Sequence, residues 1–239
     1  MLEVEWIYRE GKEMNSKQLE IYIHIPFCVR KCDYCDFLSM SMDEGTKREY
    51  VNALVREIEL SKEKMEGRVI TSVFIGGGTP SILQENFITK IMEAVKNNCH
   101  LSDDAEITIE CNPGTVTEAK LNSYKEAGIN RISFGLQSAN DQELKSIGRI
   151  HDFAKFKESY ELARKVGFEN INVDVMSALP GQTVTSIHWR VCWQWNLSIF
   201  QLIALLLKME LHCRKESRRR KAKILIFYRT KMKKERCTI

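Results

Sequence analysis

Short apolar runs rich in Ile and Val alternate with longer amphipathic stretches along most of the chain. The short runs have the length and composition of strands, and the longer stretches repeat apolar residues at helical spacing. Repeated strand–helix units of this kind predict an α/β fold with a parallel sheet. The predicted strands are Glu20–Pro26, Val69–Gly76, Glu106–Cys111, Arg131–Gln137 and Asn170–Ser177. The predicted helices are Lys47–Lys64, Phe87–Asn98, Val116–Ala127 and Asp152–Val166.

Polar or glycine-rich motifs lie at the carboxyl ends of these strands. Such ends meet at one edge of a parallel barrel, where the following loops build active sites, so we expect the motifs to come together there. The first motif is a cysteine-containing run after the first strand. The later motifs are GGGTPS (76–81), IECNPG (109–114), RISFGLQS (131–138), IGRIHD (147–152) and DVMSALPGQT (174–183).

Three cysteines, Cys28, Cys32 and Cys35, occur in the run YIHIPFCVRKCDYCDF with the spacing C-x3-C-x2-C. A cube-shaped [4Fe–4S] cluster takes one thiolate per iron, so three thiolates leave one iron open to another ligand. The alternative is a zinc site with His24 as fourth ligand, although structural zinc usually divides its ligands between two pairs. Three thiols cannot pair among themselves as disulfides. No stretch near Met1 has the pattern of a secretion signal, which predicts a reducing, cytoplasmic location.

The motifs, in this order, resemble the radical S-adenosylmethionine (SAM) superfamily. Within it they resemble the HemN-like branch, which contains anaerobic coproporphyrinogen oxidases and HemW-type heme chaperones. The resemblance covers residues 20–186. It implies a partial (β/α)6 TIM-like barrel, of which about five strands can be counted here. The sixth strand should follow Ser186, where the family pattern disappears.

The resemblance also implies the ligands and the cofactors. The three cysteines would hold a [4Fe–4S] cluster whose fourth iron chelates the amino and carboxylate groups of SAM, and one electron would then cleave the SAM C–S bond. Residues at the positions that contact SAM in the family are Tyr22, Gly77, Gly78, Thr79, Glu110, Gln137, Arg149 and Asp174.

Each of these residues also has a plainer interpretation. The glycines read alone are a flexible turn, and Tyr22 is an aromatic in an apolar strand, where it is usually part of the core. Arg149 suits a two-pronged pair with a carboxylate, but it is equally suited to a structural ion pair. Glu110 and Asp174 are harder to explain structurally, because each interrupts an apolar strand and burying an unpaired carboxylate is unfavourable.

The second residue after Cys35 separates two functions within the family. Anaerobic coproporphyrinogen oxidases carry another cysteine two residues after the third, where this chain has Phe37. The run CDF resembles the heme chaperones, which implies a protein that binds heme and passes it to an acceptor protein. The alternatives are an oxidase that converts coproporphyrinogen III to protoporphyrinogen IX, and an inactive fragment. Expected partners are heme or a porphyrinogen, an unidentified electron donor and an unidentified heme-acceptor protein. Nucleic acid is not an expected partner.

Charge divides the 239 residues into two unlike parts. Residues 1–186 contain 22 Lys and Arg against 29 Asp and Glu, whereas 187–239 contain 14 against 3. One interpretation of the basic tail, which includes Arg218–Lys221 and Lys231–Arg236, is a segment that binds nucleic acid or anionic lipid. Its longest apolar run, Ile199–Leu207, is too short to cross a membrane. The expected organisation is an N-terminal extension (1–19), predicted to be disordered, a radical SAM core (20–186) and a non-family tail (187–239).

Our hypothesis for the tail is a change of reading frame. If the third base of each codon is joined to the first two bases of the next, the codons for Trp193–Leu211 permit AMEPEHISAYSLIIEDGT, and those for Lys231–Ile239 permit DEERKMYH. Both strings resemble the continuation of the heme chaperones, and ISAYSL resembles their sixth strand. Some of these positions are forced, since Met209 followed by Glu210 must yield Gly in the other frame.

We therefore predict a one-nucleotide shift near Ser186–Trp189. Sequencing the gene across codons 180–200 should reveal a frame that restores the family pattern when one base is added or removed. An uninterrupted reading frame there, confirmed in independent isolates, would contradict the hypothesis.

Overall fold

Six parallel strands form one sheet in chain order, from β1 to β6. The computed structural model describes residues 18–177, 179 and 182, together with the backbone of 199–204. The strands are β1 (Gln18–Ile25), β2 (Val69–Gly77), β3 (His100–Cys111), β4 (Arg131–Gln137), β5 (Asn170–Ser177) and β6 (Ile199–Ala204). The helices are α1 (Glu44–Leu60), α2 (Lys62–Met65), α3 (Glu85–Asn98), α4 (Glu118–Glu126), α5 (Asp141–Ser146) and α6 (Phe153–Val166).

The sequence located the first five strands and most of the helices. β4 and β5 have the predicted bounds, and β1 begins two residues earlier than expected, at Gln18. α1 begins earlier than predicted because the side chain of Asp43 caps it, accepting a hydrogen bond from the Thr46 amide at 3.0 Å. Helix α5 was not predicted. Most of the proposed N-terminal extension and most of the basic tail lie outside the described residues.

The structure confirms the α/β partial barrel and corrects the expectation that its sixth strand is lost. β6 pairs in parallel with β5 from Asn172↔Ile199 to Ser177↔Ala204. The physical reason is that the outer edge of β5 offers backbone N–H and C=O groups that need partners. The mostly apolar hexapeptide IFQLIA has the composition of a strand, although it does not resemble the family motif. ISAYSL in the other frame overlaps these codons, from the third base of codon 199 to the second base of codon 205.

The core lies between the sheet and the helices that cover it. In β1 the buried residues are Ile21, Ile23 and Ile25, whereas the alternate residues, Tyr22 and His24, are only partly buried. This alternation places the aliphatic side chains against the helices and the polar ones inside the barrel. β4 lies near the middle of the sheet and is buried on both faces, as expected for a central parallel strand. No helix among the described residues is both long and apolar enough to span a bilayer.

A tight backbone approach joins the ends of β1 and β2. The Gly78 amide donates to the Ile25 carbonyl at 2.8 Å, and the Thr79 amide donates to the Phe27 carbonyl at 2.7 Å. A Cβ atom added at Gly78 would lie 2.6 Å from the Phe27 oxygen, which is backbone and cannot rotate away. Glycine is therefore required at position 78 for steric reasons.

We predict that Gly78→Ala destabilises the chain more than Gly67→Ala. Gly67 has a φ of +71° but open space around its Cβ position, so alanine there costs roughly 1 kcal/mol of backbone strain. Alanine at 78 must displace the β1 exit, at a cost of about 3 kcal/mol. Urea unfolding of the two variants tests this, and an equal or smaller loss for Gly78→Ala would contradict the steric explanation.

Candidate functional site

The cysteines lie in an irregular segment, Cys28–Met42, that we call the cluster loop. Its base is closed by two backbone bonds, from the Cys28 amide to Met40 at 3.0 Å and from the Met40 amide to Pro26 at 2.9 Å. A third bond ties its middle to the IGRIHD motif, from the Asp33 amide to Ile147 at 3.3 Å. The loop is therefore fixed at both ends and at its centre to the carboxyl edge of the sheet.

Tyr34 anchors the cluster loop through packing. Its ring lies against a small cluster of buried side chains, Ile147, Met176 and Leu179. Burial raises the pKa of its phenol far above the usual 10, so the group stays neutral. The sequence motif alone does not reveal this role, because Tyr34 is simply a spacer between the second and third cysteines.

The three cysteine thiols form no disulfide, and each is partly buried. Burial raises the pKa of Cys35 above its usual 9; a backbone hydrogen bond from Phe37 opposes this shift, and the neighbouring Cys28 and Cys32 add to it. Three thiolates so placed repel one another, so a group that binds all three as thiolates must supply positive charge. The irons of a cluster supply it, and the donor set fits this group.

The contacts of His24 do not favour the zinc alternative. His24 Nε2 faces the Leu38 carbonyl at 3.1 Å, so it carries the proton, and Nδ1 then accepts from the Tyr22 hydroxyl at 3.1 Å. Both ring nitrogens are therefore engaged. Within the described residues, no three Cys, His, Asp or Glu side chains converge on a single ion. A cube spreads its ligands over different irons and does not require such convergence.

Two carboxyl groups occupy the interior of the barrel near its carboxyl edge. Glu110 Oε2 accepts from the Gly77 amide at 3.1 Å. Burial, together with the charge of Asp174, raises the pKa of Glu110 from 4.5 to about 8, against the opposing effect of the Gly77 bond. The structure thus brings Gly77, Glu110 and Asp174 together. The Glu110 carboxyl can accept a further hydrogen bond from a ligand.

Asp174 has its own pair of hydrogen-bond donors. Ser133 Oγ donates to Oδ2 at 3.1 Å, and Asn172 Nδ2 donates to Oδ1 at 2.8 Å. Burial raises the pKa of Asp174, while these two bonds and the nearby arginines oppose the shift. Ser133 and Asn172 were not predicted from the sequence, because a single polar residue within a strand does not form a recognisable motif.

Gln137 and Arg149 present polar atoms that the described chain does not satisfy. Gln137 Oε1 and Arg149 Nε are buried, and neither has a hydrogen-bond partner within the part of the chain that the structure describes. The Gln137 backbone has a φ of +70°, a conformation that is rare for residues other than glycine and is typical of functional sites. An acceptor and a donor kept buried in this way fit a polar ligand such as SAM.

The remaining predicted residues divide between the barrel interior and the strand-end turn. Tyr22 stacks on Phe74, with ring centroids 6.1 Å apart, and bonds to His24, so its contacts match the structural interpretation. Thr79 is buried, and its Oγ1 lies 3.4 Å from Cys28 Sγ. Arg149 Nη1 lies 3.7 Å from Cys32 Sγ. Thr79 and Arg149 therefore join the cysteines to the rest of the site, an arrangement that the sequence alone did not predict.

His151 is a residue for which the sequence left two roles open, a contact with substrate or heme and a structural hydrogen bond. Its Nε2 donates to the Leu136 carbonyl at 3.3 Å. Burial and the nearby Arg149 lower its pKa from 6.5 to about 4, so the ring is neutral. The contact supports the structural role.

Comparisons with known proteins agree with this arrangement. The sequence pattern of the radical SAM superfamily matches residues 22–188. The chain is 40% identical over 171 residues to the heme chaperone HemW of Haemophilus influenzae, covering 70% of this chain and 45% of that protein. It is 43% identical over 164 residues to the HemW of Bacillus subtilis, covering 68% of this chain and 43% of that protein.

A solved structure has the same fold. Coproporphyrinogen III oxidase (HemN) from Escherichia coli, a radical SAM enzyme, superposes with a TM-score of 0.71 and 28% sequence identity. The match covers 79% of this chain and 44% of that one. The chain thus spans less than half the length of the curated relatives it matches.

We predict that Glu110 makes the chain less stable as the pH rises. An acid whose pKa is higher folded than unfolded binds more protons when folded, so the free energy of unfolding falls between about pH 4.5 and about pH 8. Glu110→Gln should flatten this decline and be more stable than the wild type at pH 8. Urea unfolding at a series of pH values measures it.

Glu126→Gln, at an exposed glutamate that ends α4, is the matched control and should leave the decline unchanged. Parallel pH profiles for the wild type and Glu110→Gln would show that Glu110 is not the group responsible.

Proposed function

The chain belongs to the radical SAM superfamily, and from that premise we propose that the protein is a cytoplasmic heme chaperone of the HemW type. It holds a [4Fe–4S] cluster on Cys28, Cys32 and Cys35. It binds SAM at the open iron and in the barrel mouth, and it binds heme for delivery to an acceptor protein. An unidentified electron donor would reduce the cluster.

The cluster and SAM are the general cofactors of the superfamily, and the residues present fit them. The cysteines supply three thiolates from one anchored loop. The unsatisfied Gln137 Oε1 and Arg149 Nε offer an acceptor and a donor to a polar ligand, and Glu110 can accept from a hydroxyl. The reduced cluster, when bound, supplies the electron for cleavage of a SAM C–S bond. The protein orients SAM and excludes water from the barrel interior.

The observation that carries the choice of chaperone is the character of the chain just after Cys35. Phe37 stands where the resembling oxidases have a further cysteine, and its side chain is 55% exposed. In the same loop, Val29 and Leu38 are still more exposed, at 63% and 71%. An apolar surface beside the cluster suits a flat hydrophobic ligand such as heme. The identity of about 40% to curated HemW proteins supports the same choice.

An anaerobic coproporphyrinogen III oxidase is the second candidate. The structural similarity to Escherichia coli HemN supports it, because the barrel and the cluster loop are common to both functions. A third candidate is a chain without activity of its own. The family match ends at residue 188, close to the boundary at 186 that we propose between the radical SAM core and a frame-shifted tail.

We expect the anaerobically purified chain to turn brown on reconstitution with iron and sulfide and to bind about four irons. The EPR spectrum of the reduced protein should change when SAM is added. With SAM, reductant and coproporphyrinogen III, it should form no protoporphyrinogen, whereas heme should remain bound through gel filtration.

The triple variant Cys28→Ala, Cys32→Ala, Cys35→Ala should stay colourless, and Cys99→Ala should behave as the wild type because Cys99 lies away from the loop, beside Met65. Protoporphyrinogen formation would establish the oxidase. The radical SAM assignment of this site would be refuted by a wild type that stays colourless after reconstitution. It would also be refuted by a cluster whose EPR spectrum does not change when SAM is added.

A further inference from the structure

A chain of hydrogen bonds leads from Arg149 to the first cysteine of the cluster loop. Arg149 Nη2 donates to Asn112 Oδ1 at 2.9 Å, and Asn112 Nδ2 donates to Thr79 Oγ1 at 2.9 Å. Thr79 Oγ1 in turn lies 3.4 Å from Cys28 Sγ. We call Arg149, Asn112 and Thr79 the relay. Asn112 belongs to the IECNPG motif, but it is not among the residues that the sequence assigned to the site.

The direction of the first two bonds in the relay is determined by its first member. A guanidinium has only donors, so the amide atom of Asn112 that faces Arg149 must be the oxygen. The amide nitrogen therefore faces Thr79 and occupies its hydroxyl oxygen as a donor. When Cys28 is a thiolate, as a metal ligand must be, its sulfur can only accept, so the single hydroxyl proton of Thr79 points at it.

Arg149 also reaches a second sulfur directly. Its Nη1 lies 3.7 Å from Cys32 Sγ, while Nη2 bonds to Asn112 and to the Gly135 carbonyl. One cation therefore polarises two of the three proposed cluster ligands, one by direct contact and one through the relay. Hydrogen bonds that involve a charged group are roughly twice as strong as neutral ones.

The surrounding chain holds the relay in place. Thr79 is 3% exposed, and its amide is bonded to Phe27. The Asn112 amide donates to Ser81 Oγ at 3.1 Å. A Cβ atom added at Gly135 would lie 2.9 Å from Arg149 Nη2 and 3.2 Å from Asn112 Oδ1, so glycine there leaves space for their contact. Rigid placement of this kind is what makes an indirect partner effective at a metal ligand.

We propose that Asn112 is a positioning residue that aims the Thr79 hydroxyl at Cys28 and thereby raises the reduction potential of the cluster. The inference rests on the proposed function, because it requires a cluster on the three cysteines. Reduction adds negative charge that is shared with the sulfur ligands. A hydrogen bond to such a sulfur stabilises the reduced form more than the oxidised form, so the cluster accepts an electron more readily.

EPR-monitored redox titration of the reconstituted full chain, without SAM, tests this. Thr79→Val removes the hydroxyl and keeps the shape, so reduction should become about tenfold less favourable, a fall of about 59 mV for a one-electron couple. Thr79→Ser keeps the hydroxyl and should keep the potential. Asn112→Ala should lower the potential alone, but it should add nothing in the Thr79→Val background, because Asn112 acts through Thr79.

Thr89→Val is the matched control, since this hydroxyl lies on α3 and bonds to Glu85 and Ser123; it should leave the potential unchanged. An unchanged potential in either Thr79→Val or Asn112→Ala, or two additive effects, would overturn the inference. Iron content separates the two proposals: a wild type that binds no cluster refutes the proposed function, whereas a normal cluster with an unmoved potential refutes only the relay.

Discussion

The close backbone contact between the exits of β1 and β2 is the constraint on which the site depends. The backbone hydrogen bonds from Gly78 to Ile25 and from Thr79 to Phe27 hold the glycine-rich end of β2 next to the start of the cluster loop. This contact is possible only without a side chain at position 78. It brings the Thr79 hydroxyl within reach of Cys28, and it turns the Gly77 amide toward Glu110. One backbone approach thus connects the cluster loop to the barrel interior.

The barrel interior concentrates polar groups that are unfavourable to bury. Asp174 lies close enough for its charge to oppose ionisation of Glu110, and Arg131 and Arg149 place positive charge near Asp174. Such groups reduce the stability of the apolar layer around them. Their retention in a site with unsatisfied atoms on Gln137 and Arg149 is typical of a surface prepared for a polar ligand.

Much of the fold could be predicted from local patterns. Strands β4 and β5 have the predicted bounds because apolar β-branched runs ended by polar residues are a strong local signal. β6 was missed because the expectation relied on a family motif, whereas pairing with β5 needs only an apolar hexapeptide. α5 was missed because its six residues are too few to show a helical period.

The sequence by itself determined that three thiols lie close together along the chain, because C-x3-C-x2-C places three sulfurs within one short loop whatever the rest of the chain does. It also determined that the motifs share one edge, since parallel strands end there together. Only the tertiary structure decided which side chains touch across that edge. Residues 28, 79, 112 and 149 come from four different strand ends and loops, and their contacts depend on register and on the space that Gly78 and Gly135 leave. Such distances of a few ångströms arise from packing among remote segments, which no local pattern encodes.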